Sequence, residues 1–196
     1  MIRAGLALAA AAVTLAATAY REGPPPGHTG AFGEPDCGAC HFDAIRDDAA
    51  GALRIDVPGE YRPGRSYVLT ITVSHPDLDA AGFQATARFA GGGSLGAQAG
   101  RLEAVDGRTR VQVGENGVSY ASQSERGAPP SADGESVWTL RWTAPDGGDP
   151  VRFDAAAQVA NDDDSEFGER LYLASAGIRP GPEVRGDHGA PGRARH

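Results

Sequence analysis

A period of two in the hydrophobic pattern dominates the chain from about residue 53. In SYVLTITVS, residues 66–74, the large apolar residues Tyr67, Leu69, Ile71 and Val73 occupy alternate positions. Successive side chains of a β-strand point to opposite faces, so this pattern predicts a strand with one buried face. The same pattern appears at 82–90, 137–145 and 150–160, and shorter candidate strands lie at 53–57, 109–113 and 170–175.

The candidate strand at 82–90, GFQATARFA, divides its residues into an apolar and a polar set. Phe83 and Phe89 share one face with two alanines, whereas Gln84, Thr86 and Arg88 share the other. We expect the apolar face to lie in the core and the polar face to lie outside it. Trp138 and Trp142, two residues before and after Leu140 in the strand at 137–145, are likewise expected in the core.

Glycine and proline clusters separate these runs and indicate turns. Examples are VPGEYRPG, FAGGGSLGAQAG and APDGGDP. About seven short strands joined by such turns predict an all-β fold, an immunoglobulin-like antiparallel β-sandwich. One short helix is predicted at 41–51, HFDAIRDDAAG, with Gly51 closing it.

The N-terminus has the layout of a secretory signal peptide. Arg3 precedes an apolar run, and the small residues Ala17 and Ala19 end it, which predicts cleavage near Ala19 and a periplasmic or secreted protein. The run is too short and too rich in alanine to span a bilayer well, so we expect no stable membrane span in the mature chain. The polar C-terminal sequence, rich in Gly, Pro and Arg, predicts a disordered tail.

The charge balance narrows the class of partner. The formal net charge is −8, which argues against nucleic acid and favours steering of a basic protein. We find no nucleophile elbow or catalytic triad pattern, and we therefore do not expect an enzyme.

Both cysteines of the chain lie in GEPDCGACHFDA, residues 33–44. Cys37 and Cys40 are two residues apart, and His41 follows at once. Two thiols at this spacing can add to the two vinyl groups of one haem, and the adjacent histidine can bind the iron on the proximal side. In an exported chain, this motif predicts covalently attached haem c.

Other uses of the same residues stay open. A local disulfide suits an oxidising compartment, and a thioredoxin-type redox pair has the same cysteine spacing but belongs with a βαβ pattern that is missing here. Structural zinc takes four ligands, and this motif supplies three.

The second iron ligand is expected to be a histidine, because the only methionine is Met1. His75, at the end of the strand at 66–74, is the main candidate. His28 is the second, and it lies in the Gly- and Pro-rich segment before the cysteine motif, residues 23–36, which we call the lead-in. His188 and His196 lie in the tail and are poor candidates, and an open sixth position is the remaining alternative.

A dense acidic sequence, NDDDSEFGER, lies between the last two candidate strands. It lacks the carboxylate spacing and the invariant glycine of an EF-hand loop. We therefore predict a solvated turn rather than a calcium site, with these acidic residues on it: Asp162, Asp163, Asp164, Glu166 and Glu169.

Five segments resemble the bacterial choice-of-anchor V domain, which is similar to the reelin-type (Reeler) domains of animals. They are residues 23–41, 61–74, 81–89, 137–145 and 151–172. The resemblance implies an exported immunoglobulin-like sandwich preceded by a CxxCH segment, and it implies no defined enzyme activity. A histidine often follows the aromatic residue of one strand in that family, whereas here Tyr120 is followed by Ala121.

The sequence therefore predicts an exported c-type haem protein that transfers electrons to or from a redox partner protein. Cys37 and Cys40 hold the haem, and His41 and His75 ligate the iron. The expected segments are a signal peptide (1–19), a haem-attachment segment (20–51), a Reeler-like sandwich (52–176) and a disordered tail (177–196). The alternatives are an extracellular binding or adhesion module with a CxxC disulfide and, more weakly, a haem-based sensor of gas or peroxide.

Overall fold

The predicted alternation forms two packed β-sheets in the computed structural model, which describes residues 22–160 and 168–182. The expected signal peptide and most of the expected tail lie outside these residues. The strands are β1 (Ile45–Arg46), β2 (Ala52–Asp56), β3 (Glu60–Tyr61), β4 (Ser66–Ser74), β5 (Ala80–Phe89), β6 (Arg101–Ala104), β7 (Thr109–Val113), β8 (Ser119–Gln123), β9 (Glu135–Thr143), β10 (Val151–Ala160) and β11 (Arg170–Pro180).

The two sheets confirm the predicted all-β, immunoglobulin-like sandwich. The larger sheet has seven strands in the order β1-β11-β10-β5-β8-β7, with β3 also paired to β11. The smaller sheet has four strands in the order β2-β4-β9-β6. All pairings are antiparallel except those of β1 and β3 with β11, which are parallel. Strand β11 runs past the predicted end of the sandwich at residue 176.

The core lies between the sheets and is centred on the two tryptophans. Trp138 and Trp142 are fully buried, as predicted. Phe83 stacks on Trp138 with ring centroids 4.5 Å apart. Each indole N–H donates to a backbone carbonyl, Trp138 to Gly127 and Trp142 to Ala99, both at 2.9 Å. Burial of the tryptophans therefore leaves neither polar nitrogen unpaired.

Strand β5 is buried on both faces, so the predicted division into a buried and an outer face is wrong for it. Gln84, Thr86 and Arg88 are as buried as Phe83. The reason is that the lead-in to the cysteine motif lies over this face of the larger sheet: the backbone N–H of His28 donates to Gln84 Oε1 at 2.5 Å, and Gln84 Nε2 donates to the carbonyl of Pro25 at 2.8 Å. The lead-in thus forms a third layer.

The helix predicted at 41–51 is not formed. The described residues contain only three short 3-10 turns, at Cys37–Ala39, Gly92–Ser94 and Glu125–Gly127. Ile45 and Arg46 instead pair with Arg170 and Leu171 of β11. Pairing with the edge of the sheet therefore overrides the helical propensity of this segment. No helix among the described residues is long and apolar enough to cross a membrane.

Candidate functional site

The CxxCH motif forms one compact turn. The side chain of Asp36 caps it by accepting from the N–H of Gly38 at 2.8 Å. The carbonyl of Cys37 then accepts from the N–H groups of Cys40, at 3.2 Å, and His41, at 3.0 Å. These backbone bonds hold Cys37, Cys40 and His41 on the same turn.

A salt bridge and a short strand fix this turn to the larger sheet. Arg46 donates two hydrogen bonds to the Asp36 carboxylate, at 2.6 and 2.9 Å. These bonds are the main reason why the pKa of Asp36 lies below its usual value. Since Arg46 belongs to β1, the start of the motif is fastened to the strand that follows it.

His41 is joined to a buried carboxylate on the first residue before β11. Its Nδ1 lies 2.9 Å from Oε1 of Glu169. The Glu169 side chain is 2% exposed and that of His41 is 21% exposed. Burial raises the pKa of Glu169, and the neighbouring His41 opposes that rise. The prediction of a solvated turn is therefore wrong for Glu169, while Asp162, Asp163, Asp164 and Glu166 lie outside the described residues.

The two thiols are half-buried and are not bonded to each other. Burial, helped by the charge of Asp36, raises the pKa of the Cys37 thiol to about 12. Within the described part of the chain, no three His, Cys, Asp or Glu side chains are grouped so that they could hold a metal ion. The motif thus places two free thiols and one histidine on one turn.

His75 lies at the end of β4 and is 3% exposed. Its Nδ1 accepts from the N–H of Asp77 at 3.0 Å, which leaves Nε2 to donate to Asp48 Oδ2, 3.3 Å away. The same Asp48 oxygen accepts from Arg170 Nε at 3.0 Å. Through Glu169 and Arg170, the structure brings His41 and His75 to the same end of β11, but both nitrogens of His75 are engaged.

The other candidate histidines differ in position. His28 is half-buried, and its Nδ1 lies 2.9 Å from the carbonyl of Pro25, whereas its Nε2 has no hydrogen-bond partner among residues 22–160 and 168–182. His188 and His196 lie outside the described residues.

A buried polar cluster holds the lead-in on the sheet, and sequence reasoning did not predict it. Glu34, three residues before Cys37, is bonded to Arg88 of β5 and to the hydroxyl of Tyr120, and it accepts from Thr29 Oγ1 at 2.6 Å. The ring of Phe32 contacts two guanidinium groups: its centroid is 5.0 Å from Cζ of Arg88 and 4.4 Å from Cζ of Arg152. The only signal in the sequence is Arg88, the one charged residue of β5.

No protein-family model matches the sequence, and no curated protein matches it. Solved structures do resemble the fold. The reeler domain of human F-spondin is 18% identical, with a TM-score of 0.45 over 70% of this chain and 95% of that chain. The Reelin-N domain of F-spondin is 19% identical, with a TM-score of 0.43 over 70% of this chain and 92% of that chain.

A cohesin module from a Clostridium perfringens family 33 glycoside hydrolase is 15% identical, with a TM-score of 0.47 over 68% of this chain and 98% of that chain. At these identities the likeness extends to the fold alone. The assignment of a two-sheet β-sandwich therefore rests on the strand pairing of this chain itself.

Proposed function

We propose that this chain is an exported haem c protein that transfers electrons, with the haem attached at Cys37 and Cys40 and with His41 as the proximal ligand. The observation that carries the proposal is the bond from His41 to Glu169. A histidine that ligates a metal commonly donates its other ring N–H to a carboxylate. Because Nδ1 of His41 is held in this way, Nε2 is the ring nitrogen left for iron.

The surroundings of the motif suit an apolar macrocycle. Phe42, next to His41, is 79% exposed, and Ile45 on β1 is 50% exposed. Leu173 of β11 is 44% exposed and lies against Gly30 of the lead-in. Phe42 and Ile45 follow the motif directly, and large apolar side chains left open to water commonly mark a surface that a ligand or partner covers.

The bound haem would supply a one-electron iron couple, and the protein would fix its ligation, burial and local charge. Cys37 and Cys40 would hold the ring, and His41 would bind the iron. Phe42 and Ile45 would exclude water. The redox partner is a protein that meets an acidic surface, given the formal net charge of −8.

His75 as the second iron ligand stays a prediction. In the present conformation, ligation requires that Nε2 be released from Asp48. His28 is the other candidate, since its Nε2 is not bonded to any part of the chain that the structure describes. An iron with no second protein ligand would instead suit a sensor of gas or peroxide.

The test is covalent haem in the full chain. The chain is produced with its own N-terminus in a bacterium that attaches haem c, denatured, and assayed by the absorbance of the alkaline pyridine complex. We expect haem to remain with the wild-type polypeptide and to be lost from the double variant Cys37→Ser, Cys40→Ser. Asp77→Asn, away from the motif, is the control and should retain it. A folded, colourless wild type would refute the proposal and favour a binding module.

A further inference from the structure

We propose that Glu169 is the positioning residue of the haem site: its carboxylate holds Nδ1 of His41 and, through that bond, keeps the reduction potential of the iron low. This inference rests on the proposed function. Glu169 lies 128 positions from His41 in the sequence, so only the fold brings the two together.

The environment of the carboxylate is unusual for a residue that only closes a turn. The Glu169 side chain is 2% exposed, and its second oxygen, Oε2, has no hydrogen-bond partner among the described residues. A buried carboxylate with one partner destabilises the fold relative to a fully bonded one. A charge that acts on His41 gives this carboxylate a role that closing a turn does not require.

The backbone of Glu169 is also bonded to the segment that follows the cysteine motif. Its carbonyl oxygen accepts from the N–H of Ile45 at 2.9 Å. Two residues on, the carbonyl of Leu171 accepts from the N–H of Asp47 at 2.9 Å. The Glu169 carboxylate therefore bonds His41 from a backbone that is hydrogen-bonded to Ile45, four residues after His41. Because both residues are held by the sheet, the sheet sets the orientation of the imidazole.

The effect on the iron follows from charge. A buried anion bonded to the ligating imidazole makes that imidazole more basic and stabilises the ferric form more than the ferrous form. Loss of the anion should then favour reduction. An ion pair that serves the fold alone would change the stability of the protein and leave the potential unchanged.

The test compares Glu169→Gln with Asp36→Asn in the full-length haem-loaded protein. Both variants remove one negative charge beside the motif, but Asp36 bonds Arg46 and the backbone of the turn rather than His41. Haem attachment is measured by the pyridine assay, the potential by spectroscopic redox titration with dithionite, and stability by thermal unfolding.

For Glu169→Gln we expect retained covalent haem and at least a tenfold higher ratio of reduced to oxidised protein at a fixed solution potential. Tenfold corresponds to about 59 mV for one electron. Asp36→Asn should change the ratio much less. Equal shifts in the two variants, or no shift in Glu169→Gln, would overturn the role of Glu169 while leaving the proposed function intact. A wild type without covalent haem would refute the proposed function and this inference with it.

A measurement on the wild type covers the case in which Glu169→Gln does not fold. In haem-loaded protein with ¹⁵N-labelled histidine, the Nδ1–H proton of His41 should exchange slowly with water, because it donates to a buried carboxylate. Rapid exchange of that proton, at the rate of an exposed imidazole, would overturn the inference.

Discussion

Replacing Glu34 by alanine tests whether the lead-in to the cysteine motif is an integral layer of the fold. Glu34 joins that lead-in to the larger sheet by its bonds to Arg88 and Tyr120. The side chains of Glu34 and Arg88 are 12% and 5% exposed. The Glu34→Ala variant therefore leaves a guanidinium group buried without its counter-charge.

The size of the effect follows from that burial. Removing one partner of a buried ion pair costs about 3–5 kcal/mol, because the remaining charge is uncompensated. Arg88 keeps two weaker contacts, a bond to the Tyr120 hydroxyl at 2.5 Å and the face of Phe32. We therefore expect the lower end of the range, a loss of about 3 kcal/mol in the free energy of unfolding.

Urea unfolding followed by tryptophan fluorescence measures this loss, since both tryptophans are fully buried. The matched control is Glu103→Ala, which breaks the exposed pair of Arg101 and Glu103, at 2.7 Å. Exposed pairs contribute about 0.2–1 kcal/mol, so the control should lose no more than that. If Glu34→Ala loses as little as Glu103→Ala, Arg88 is solvated and the lead-in is not docked as described.

Three further results are expected. Burial raises the pKa of Glu34, but its bonds to Thr29, Tyr120 and Arg88 outweigh burial and lower the pKa below 4.5. The stability that Glu34 contributes is therefore fully present above that value and is lost as the pH falls through the lower pKa of the folded state. Urea unfolding at pH 3–5 should accordingly show less acid sensitivity in Glu34→Gln than in the wild type. His75→Ala should shift the haem spectrum to high-spin iron, as expected for loss of the predicted second ligand; an unchanged spectrum, with a loss of about 2 kcal/mol in thermal unfolding through the bond to Asp48, would show that His75 serves the fold alone. In haem-free folded protein, iodoacetamide at pH 8 should label Cys37 at least about tenfold more slowly than in urea, as measured by mass spectrometry, because the thiol pKa is raised to about 12; equal rates would contradict its burial.

The sequence pattern was sufficient for the strands that form the core. Strands β4, β7 and β10 begin and end within a residue of the runs that predicted them. The pattern missed β8, whose sequence SYASQ has no alternation of large apolar residues, and it missed β1, β3 and β6, which have two to four residues each. Elements that short contain too few alternations to show a period, and their pairing is decided by the strand beside them.

The residues of the candidate site also fall into two groups: those that the local sequence reveals and those that only the fold brings together. Cys37, Cys40 and His41 were recognisable because they are adjacent in sequence. Glu34 and Glu169 were not, since each acts on a residue brought to it by the fold. Glu169 stands in an acidic run, and composition alone indicated a solvated turn there. Burial of one member of such a run depends on which strand follows it, and periodicity does not report that.

The docking of the lead-in has a consequence for the order in which the proposed haem site would form. Thioether formation adds each thiol S–H across a vinyl group, and it requires that both thiols be accessible. In the folded chain, Cys37 is half-buried and burial raises the pKa of its thiol to about 12. In the proposed haem protein, attachment would therefore be favoured before the motif packs against β11, while the chain is still unfolded. Pairing of β1 with β11 would then bring His41 to Glu169, and the carboxylate would select the tautomer of a histidine already placed beside the proposed haem.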